Sequence, residues 1–134
     1  MVYWHILTES QLIPKLGLFK ASPSGGPIYL LFTATKDGDK GQRWCPDCRS
    51  ADPVLMEAFQ SLPASATILD VQITKQSWKV DPGPNHSFRQ PPFSVRGIPT
   101  LCLWDPVKEK VQRRFTESEC EQIENLLELF QSHF

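Results

Sequence analysis

The hydrophobic positions of this chain fall into two kinds of pattern. IYLLFTA (28 to 34) is apolar almost without interruption, and TILDVQI (67 to 73) is close to it. Runs of that length without alternation suit strands covered on both faces, as in the centre of an α/β sheet. TLCLW (100 to 104) and KVQRRF (110 to 115) predict two more strands, near enough to pair as a hairpin across DPVKE. Elsewhere the spacing is helical. Ala51, Leu55, Phe59 and Leu62 share one face of a helix over 46 to 62, with Pro53 inside it predicting a kink. Ile123, Leu126, Leu127 and Phe130 recur at i, i+3, i+4 and i+7 in a last helix. Thr116 with Glu119, or Ser118 with Glu121, can supply its capping box.

Leu12, Leu16 and Phe19 allow a further short helix, weakened by Pro14, and SPSGGP (22 to 27) punctuates a loop. From Trp78 to Pro92, proline and polar residues predict loop with at most one helical turn. The order is β–α–β–loop–β–β–α, preceded by an extra N-terminal piece. That is an α/β fold with a central sheet, read as one domain over residues 1–134.

Charge narrows the partners. Among 134 residues, 14 are Lys or Arg and 15 are Asp or Glu, for a net charge of −1. Such a balance gives no footprint for nucleic acid and no pull toward an anionic membrane. MVYWHILTES lacks a basic n-region, so no signal peptide is expected, and no run approaches the roughly 20 apolar residues of a membrane span. The expected compartment is the reducing cytoplasm. Four cysteines there read as working or buried thiols rather than as a disulfide framework.

RWCPDCRS (43 to 50) is where the chemistry concentrates. Cysteines three apart at a helix start lie about one turn apart, so their sulfurs can bond or separate with little backbone movement. Cys45 falls near the N-cap. Pro46 takes the first helical position, where its missing N–H costs nothing, and Asp47 meets the positive end of the dipole. The free N–H groups there favour a thiolate at Cys45, whereas Cys48, one turn in, is shielded. Asp47 opposes the Cys45 thiolate and could also accept the proton of Cys48.

A zinc site needs four ligands, usually as two close pairs. Cys102 and Cys120 stand alone, and His5, His86 and His133 are scattered, so no metal is expected. DGDKG (37 to 41) opens like a calcium loop but puts Gln42 and Cys48 where glycine and glutamate are required. Cys102 reads as an inert core residue of a central strand. Cys120 falls in the first turn of the last helix, a position open to solvent. The charged stretch Thr35 to Arg43, with Lys36, Asp37, Asp39 and Lys40, reads as a solvated loop that could gate access to Cys45. Trp44, Trp78 and Lys79 are candidates for a rim around the dithiol.

These residues resemble the thioredoxin superfamily. Trp44 precedes the first cysteine, Pro53 follows the second by five positions, and a YLLF strand runs into the motif. GIPT (97 to 100) matches the segment that in this superfamily carries a cis-proline facing the dithiol. Within the superfamily, the run Trp44-Cys45-Pro46-Asp47-Cys48 is similar to that of the thioredoxin domain-containing protein 17 family. SWKVDPGPNHSFR (77 to 89) and ESEC (117 to 120) look like it as well. The likeness runs from about Ile6 onward.

The resemblance implies a thioredoxin fold: a mixed sheet flanked by helices, with an N-terminal extension and a longer loop before the CxxC helix. It implies a cytoplasmic, monomeric protein-disulfide reductase with no bound cofactor. Cys45 would be the nucleophile and Cys48 the resolving thiol, the two forming a redox-active disulfide. Pro46 and Asp47 would tune the potential, and Trp44, Ile98 and Pro99 would line the substrate groove. Electrons would come from NADPH through thioredoxin reductase, and the substrates would be selected protein and small-molecule disulfides such as cystine.

Two departures stand out. Thioredoxins keep a buried aspartate in the strand before the motif, whereas YLLFTA has no acid, leaving Asp47 as a substitute proton acceptor. Val80 and PGP are inserted relative to the family pattern. A non-catalytic thioredoxin-fold binding module is the alternative, and an oxidase or isomerase a weaker third.

Overall fold

The computed structural model describes residues 2–21, 25–37 and 41–131. Five strands form one mixed sheet in the order β1-β3-β2-β4-β5. They are β1 (Tyr3–Thr8), β2 (Ile28–Ala34), β3 (Thr67–Ile73), β4 (Thr100–Asp105) and β5 (Lys110–Phe115). β1 and β2 both run parallel to β3, which they flank, while β2–β4 and β4–β5 are antiparallel. The helices are α1 (Leu12–Ala21), α2 (Pro46–Phe59), α3 (Lys75–Lys79) and α4 (Ile123–Gln131).

The unbroken apolar runs of β2 and β3 have a direct cause, since the sheet is covered on both faces. Leu30, Phe32, Leu69 and Val71 pack on one side against Leu12 and Leu16 of α1 and Trp78, Phe88 and Phe93. Tyr29, Leu31 and Ile68 pack on the other against Leu55 and Phe59 of α2 and Leu126 and Phe130 of α4. Every β2 residue is buried. At roughly 1.5–3 kcal/mol for each large side chain, that double layer is the main force holding the strands in place.

The hairpin, both long helices and α1 lie where the hydrophobic spacing predicts them. α2 ends at Phe59, so Leu62 is buried just beyond the helix. Pro14 sits in the first turn of α1, where its missing N–H would lack an intrahelical partner anyway. Thr116 pairs with Glu119, its backbone N–H and hydroxyl both donating to Glu119 Oε1, but this starts a 3-10 turn (Glu119–Glu121) rather than α4.

Two readings need correction. The extra N-terminal piece contains an edge strand, β1, in register with β3 from Tyr3↔Thr67 to Thr8↔Gln72. The Pro-rich stretch is more ordered than a loop: α3 is followed by 3-10 turns at Gly83–Asn85 and Ser87–Arg89. Proline removes ladder donors, yet it suits short turns with fixed φ. Asp39, Lys40 and His133 lie outside the described residues. One glycine is sterically required, because a Cβ at Gly26 would lie 2.2 Å from the Ser65 carbonyl oxygen as the chain enters β2.

Candidate functional site

Cys45 is the N-cap of α2, extended at φ −97° and ψ 121°, with Pro46 at the start of the helix and Asp47 in its first turn. The Cys45 side chain makes no cap hydrogen bond, so first-turn N–H groups remain directed toward the groove in front of the helix. Cys45 is half-buried, and its Sγ donates to the Ile98 carbonyl oxygen at 3.5 Å. Ile98–Pro99 is cis, and Thr100 Oγ1 donates to the Gly97 carbonyl at 2.6 Å, fixing the segment that leads into β4.

Cys48 differs in every respect. It has no exposed surface, and its thiol is pushed up to about 12. Burial is the largest cause; the negative charge that Cys45 carries when ionised adds to it, while Thr33 and the Ala34 backbone act the other way. The two cysteines are free thiols.

The turn into α2 is held by Arg43, a residue that belongs in solvent by its sequence context alone. Arg43 is 4% exposed; its Nε donates to Asp52 Oδ2 at 2.6 Å and its Nη1 to the Ala34 carbonyl at 2.6 Å. Arg49 Nη1 in turn donates to the Arg43 carbonyl, also at 2.6 Å. Trp44 is tied down at both ends, its backbone N–H to the Thr35 carbonyl and its indole Nε1 to the Ile73 carbonyl at 2.8 Å. Arg43 therefore belongs to the scaffold of the dithiol and not to a solvated gate. Pairing a charged residue just before a helix with an acid nine positions on was the available signal.

A buried acid is also present, on another strand. β2 has none, but Asp70 of β3 is 3% exposed and accepts from Trp4 Nε1 at 3.3 Å. Burial raises its pKa, only partly offset by Arg43. Asp47, by contrast, is exposed beside Cys45.

In front of Cys45 lies a shallow groove of about 240 Å³ that brings together Trp44, Asp47, Trp78, Lys79 and Ile98. Trp78 is buried and carries the Arg89 guanidinium on its ring, 3.6 Å from the centroid. Arg89 also donates to the carbonyls of Gly83, Trp78 and Arg96, tying α3 to the approach to Pro99. Below, Glu9 accepts from Ser77 Oγ at 2.7 Å and contacts His86 Nε2 at 2.5 Å. Periodicity could not single out Arg89, Arg96 or Glu9.

Cys102 is buried and its thiol pushed up to about 11 by burial, as suits an inert core residue. Cys120 is a correction: it is fully buried and pushed up to about 12 by burial, because the 3-10 turn carries it under β4 rather than onto a helix surface.

A dithiol at a helix start, set against a cis-proline segment on a mixed sheet, defines the thioredoxin class of fold. Comparison with known proteins narrows this. Residues 16–132 match the family described as thioredoxin domain-containing protein 17-like, thioredoxin domain, and the chain belongs to that family. It is 35% identical over 107 residues to human thioredoxin domain-containing protein 17, covering 79% of this chain and 78% of that one. It is 33% identical over 79 residues to the thioredoxin-like protein Clot of Arabidopsis thaliana, covering 58% and 57%. Among solved structures it is similar in fold to oxidised thioredoxin O1 of Arabidopsis thaliana, with TM-score 0.54, 21% identity and 96% of both chains covered. It is also similar to Trxlp of Edwardsiella tarda, with TM-score 0.54, 19% identity, and 97% and 98% covered. The fold is that of thiol–disulfide oxidoreductases. No helix among the described residues is long and apolar enough to cross a membrane.

Proposed function

We propose that the protein is a cytoplasmic protein-disulfide reductase with Cys45 and Cys48 as its redox pair. The Cys45 thiolate attacks one sulfur of a substrate disulfide. The other substrate sulfur leaves as a thiolate and takes up a proton, and a Cys45–substrate mixed disulfide remains. Cys48 then loses its proton, for which Asp47 is the acceptor in this reading, and attacks Cys45 Sγ. That expels the second substrate thiolate and closes the Cys45–Cys48 disulfide. Two electrons have passed to the substrate, and NADPH restores the dithiol through thioredoxin reductase.

The observation that carries this reading is the asymmetry of the two sulfurs: one half-exposed at the groove, 3.5 Å from the Ile98 carbonyl, the other fully buried. An exposed sulfur can meet a substrate, and a shielded one is kept from competing until the mixed disulfide forms. Once Cys45 is in that bond its charge is gone, removing one of the causes that holds Cys48 protonated. Trp44 and Ile98 border the approach, with Pro99 buried behind Ile98; the Ile98 backbone offers an edge to an extended substrate, and Pro46 and Asp47 tune the potential. Substrates are selected protein disulfides and small ones such as cystine, and the protein acts as a monomer.

The test is NADPH consumption with thioredoxin reductase and a panel including insulin and cystine. Cys45→Ser should abolish turnover, and Cys48→Ser should accumulate mixed disulfides. Full turnover by both variants would remove the reading.

A further inference from the structure

The groove around Cys45 is lined by charges of both signs. Lys79, at the end of α3, and Arg96, just before Gly97, contribute cations. Asp47 in the first turn of α2 and Glu117 after β5 contribute carboxylates. Arg89 also borders the groove, but its guanidinium is committed to three carbonyls and the Trp78 ring. Lys79 and Arg96 are different. Both are exposed, and neither has an ion-pair partner among the described residues.

A Cβ at Gly97 would lie 2.0 Å from Glu117 Oε1, so the glycine leaves the space in which that carboxylate rests. Gly97 adjoins Ile98, whose carbonyl receives the Cys45 sulfur. Glu117 is thus laid over the very segment that an extended substrate would run along. Asp47 and Glu117 continue into a neighbouring depression with Glu121, whose described lining contains no base. Arg96 and Glu117 also meet beyond Gly97, in a depression they share with Arg114, without forming an ion pair.

We propose that these charges select disulfides by the order of charge flanking the reactive cysteine. A substrate with an acidic flank and a basic flank fits in one direction, its acid toward Lys79 and its base toward Asp47 and Glu117, where the groove continues into the depression with Glu121. Reversed, it meets like charge on both sides, which is how charge patterns exclude wrong partners. The inference rests on the reductase reading and adds its substrate class: extended peptide disulfides of fixed charge polarity.

The experiment uses the reduced full chain and two peptides of identical composition, each disulfide-bonded to the same neutral thiol. One carries glutamates before its cysteine and lysines after it; the other has the flanks exchanged. Net charge is equal, so general attraction cancels. Single-turnover rates at low salt should favour one order by about three- to tenfold, and the preference should shrink at high salt. The ratio should fall toward one in Lys79→Ala and also in Glu117→Gln. Equal rates for both orders in the unaltered chain, or a ratio unmoved by the variants, overturns the inference. A third peptide with uncharged flanks guards the underlying reading, since failure to reduce any of the three would remove the reductase activity itself.

Discussion

Cys45 Sγ and the Ile98 carbonyl oxygen are 3.5 Å apart although 53 positions separate them in the chain. That contact joins the start of α2 to the segment entering β4, and it puts the half-buried sulfur beside a backbone edge. The other three cysteines are buried, and burial pushes their thiols up to about 12, 11 and 12 for Cys48, Cys102 and Cys120.

Alkylation should therefore be selective. Iodoacetamide at neutral pH is expected to add one group to the native chain, at Cys45, and four after denaturation. Peptide mass spectrometry reads the sites. Early modification of Cys102 or Cys120 would contradict the packing around β4.

Asp47 is exposed beside Cys45, and the proposed mechanism makes it the acceptor of the Cys48 proton. Asp47→Asn should lengthen the lifetime of the mixed disulfide by about ten- to a hundredfold, a modest share of what general acid–base catalysis supplies. Quenched-flow trapping measures it. An unchanged lifetime takes Asp47 out of proton transfer.

Asp52 accepts from Arg43 Nε at 2.6 Å at the base of the dithiol turn. Asp52→Ala removes a charge-assisted hydrogen bond from a buried guanidinium and should cost about 1–3 kcal/mol of stability in urea titrations. A loss smaller than a few tenths of a kcal/mol would mean that Ala34 and Asp70 hold Arg43 without it.

Two carboxylates should give opposite pH signatures. Burial raises the pKa of Asp70, so the folded chain holds that proton above the pH at which the unfolded chain releases it. Stability from this group is full below the unfolded value and declines as pH rises through the folded one. Asp70→Asn should then stabilise at neutral pH, with the gain vanishing in acid. For Glu9, burial pushes the pKa up, but hydrogen bonds from His86, Ser77 and the Thr74 backbone outweigh it and leave a net lowering. Its contribution is present above the unfolded value and lost as pH falls through the folded one. Glu9→Gln should destabilise at neutral pH, with the deficit vanishing in acid. Thermal melts from pH 3 to 8 test both, and a shared sign would refute one assignment.

Much of this protein was legible in local sequence. IYLLFTA and TILDVQI specify doubly covered strands because a surface strand would need polar positions on one face. WCPDC specifies a helix start with one sulfur outside and one inside, since Pro46 and the 3.6-residue turn act over only a few residues. β1 is not legible in the sequence because it is an edge strand: Tyr3 and Ile6 are 57% and 66% exposed, so apolarity there does not track burial.

What the tertiary structure alone decided is which distant side chains meet. Trp4 reaches Asp70 across 66 positions and Glu9 reaches His86 across 77. Arg43 reads as solvated until β2 and α2 close over it, and Cys120 as exposed until a 3-10 turn carries it under β4. Capping, turn chemistry and periodicity operate within one or two turns of chain, so sequence encodes them directly. The charges that line the groove and the burial of each thiol depend on strand order and helix docking, which no short window of residues contains.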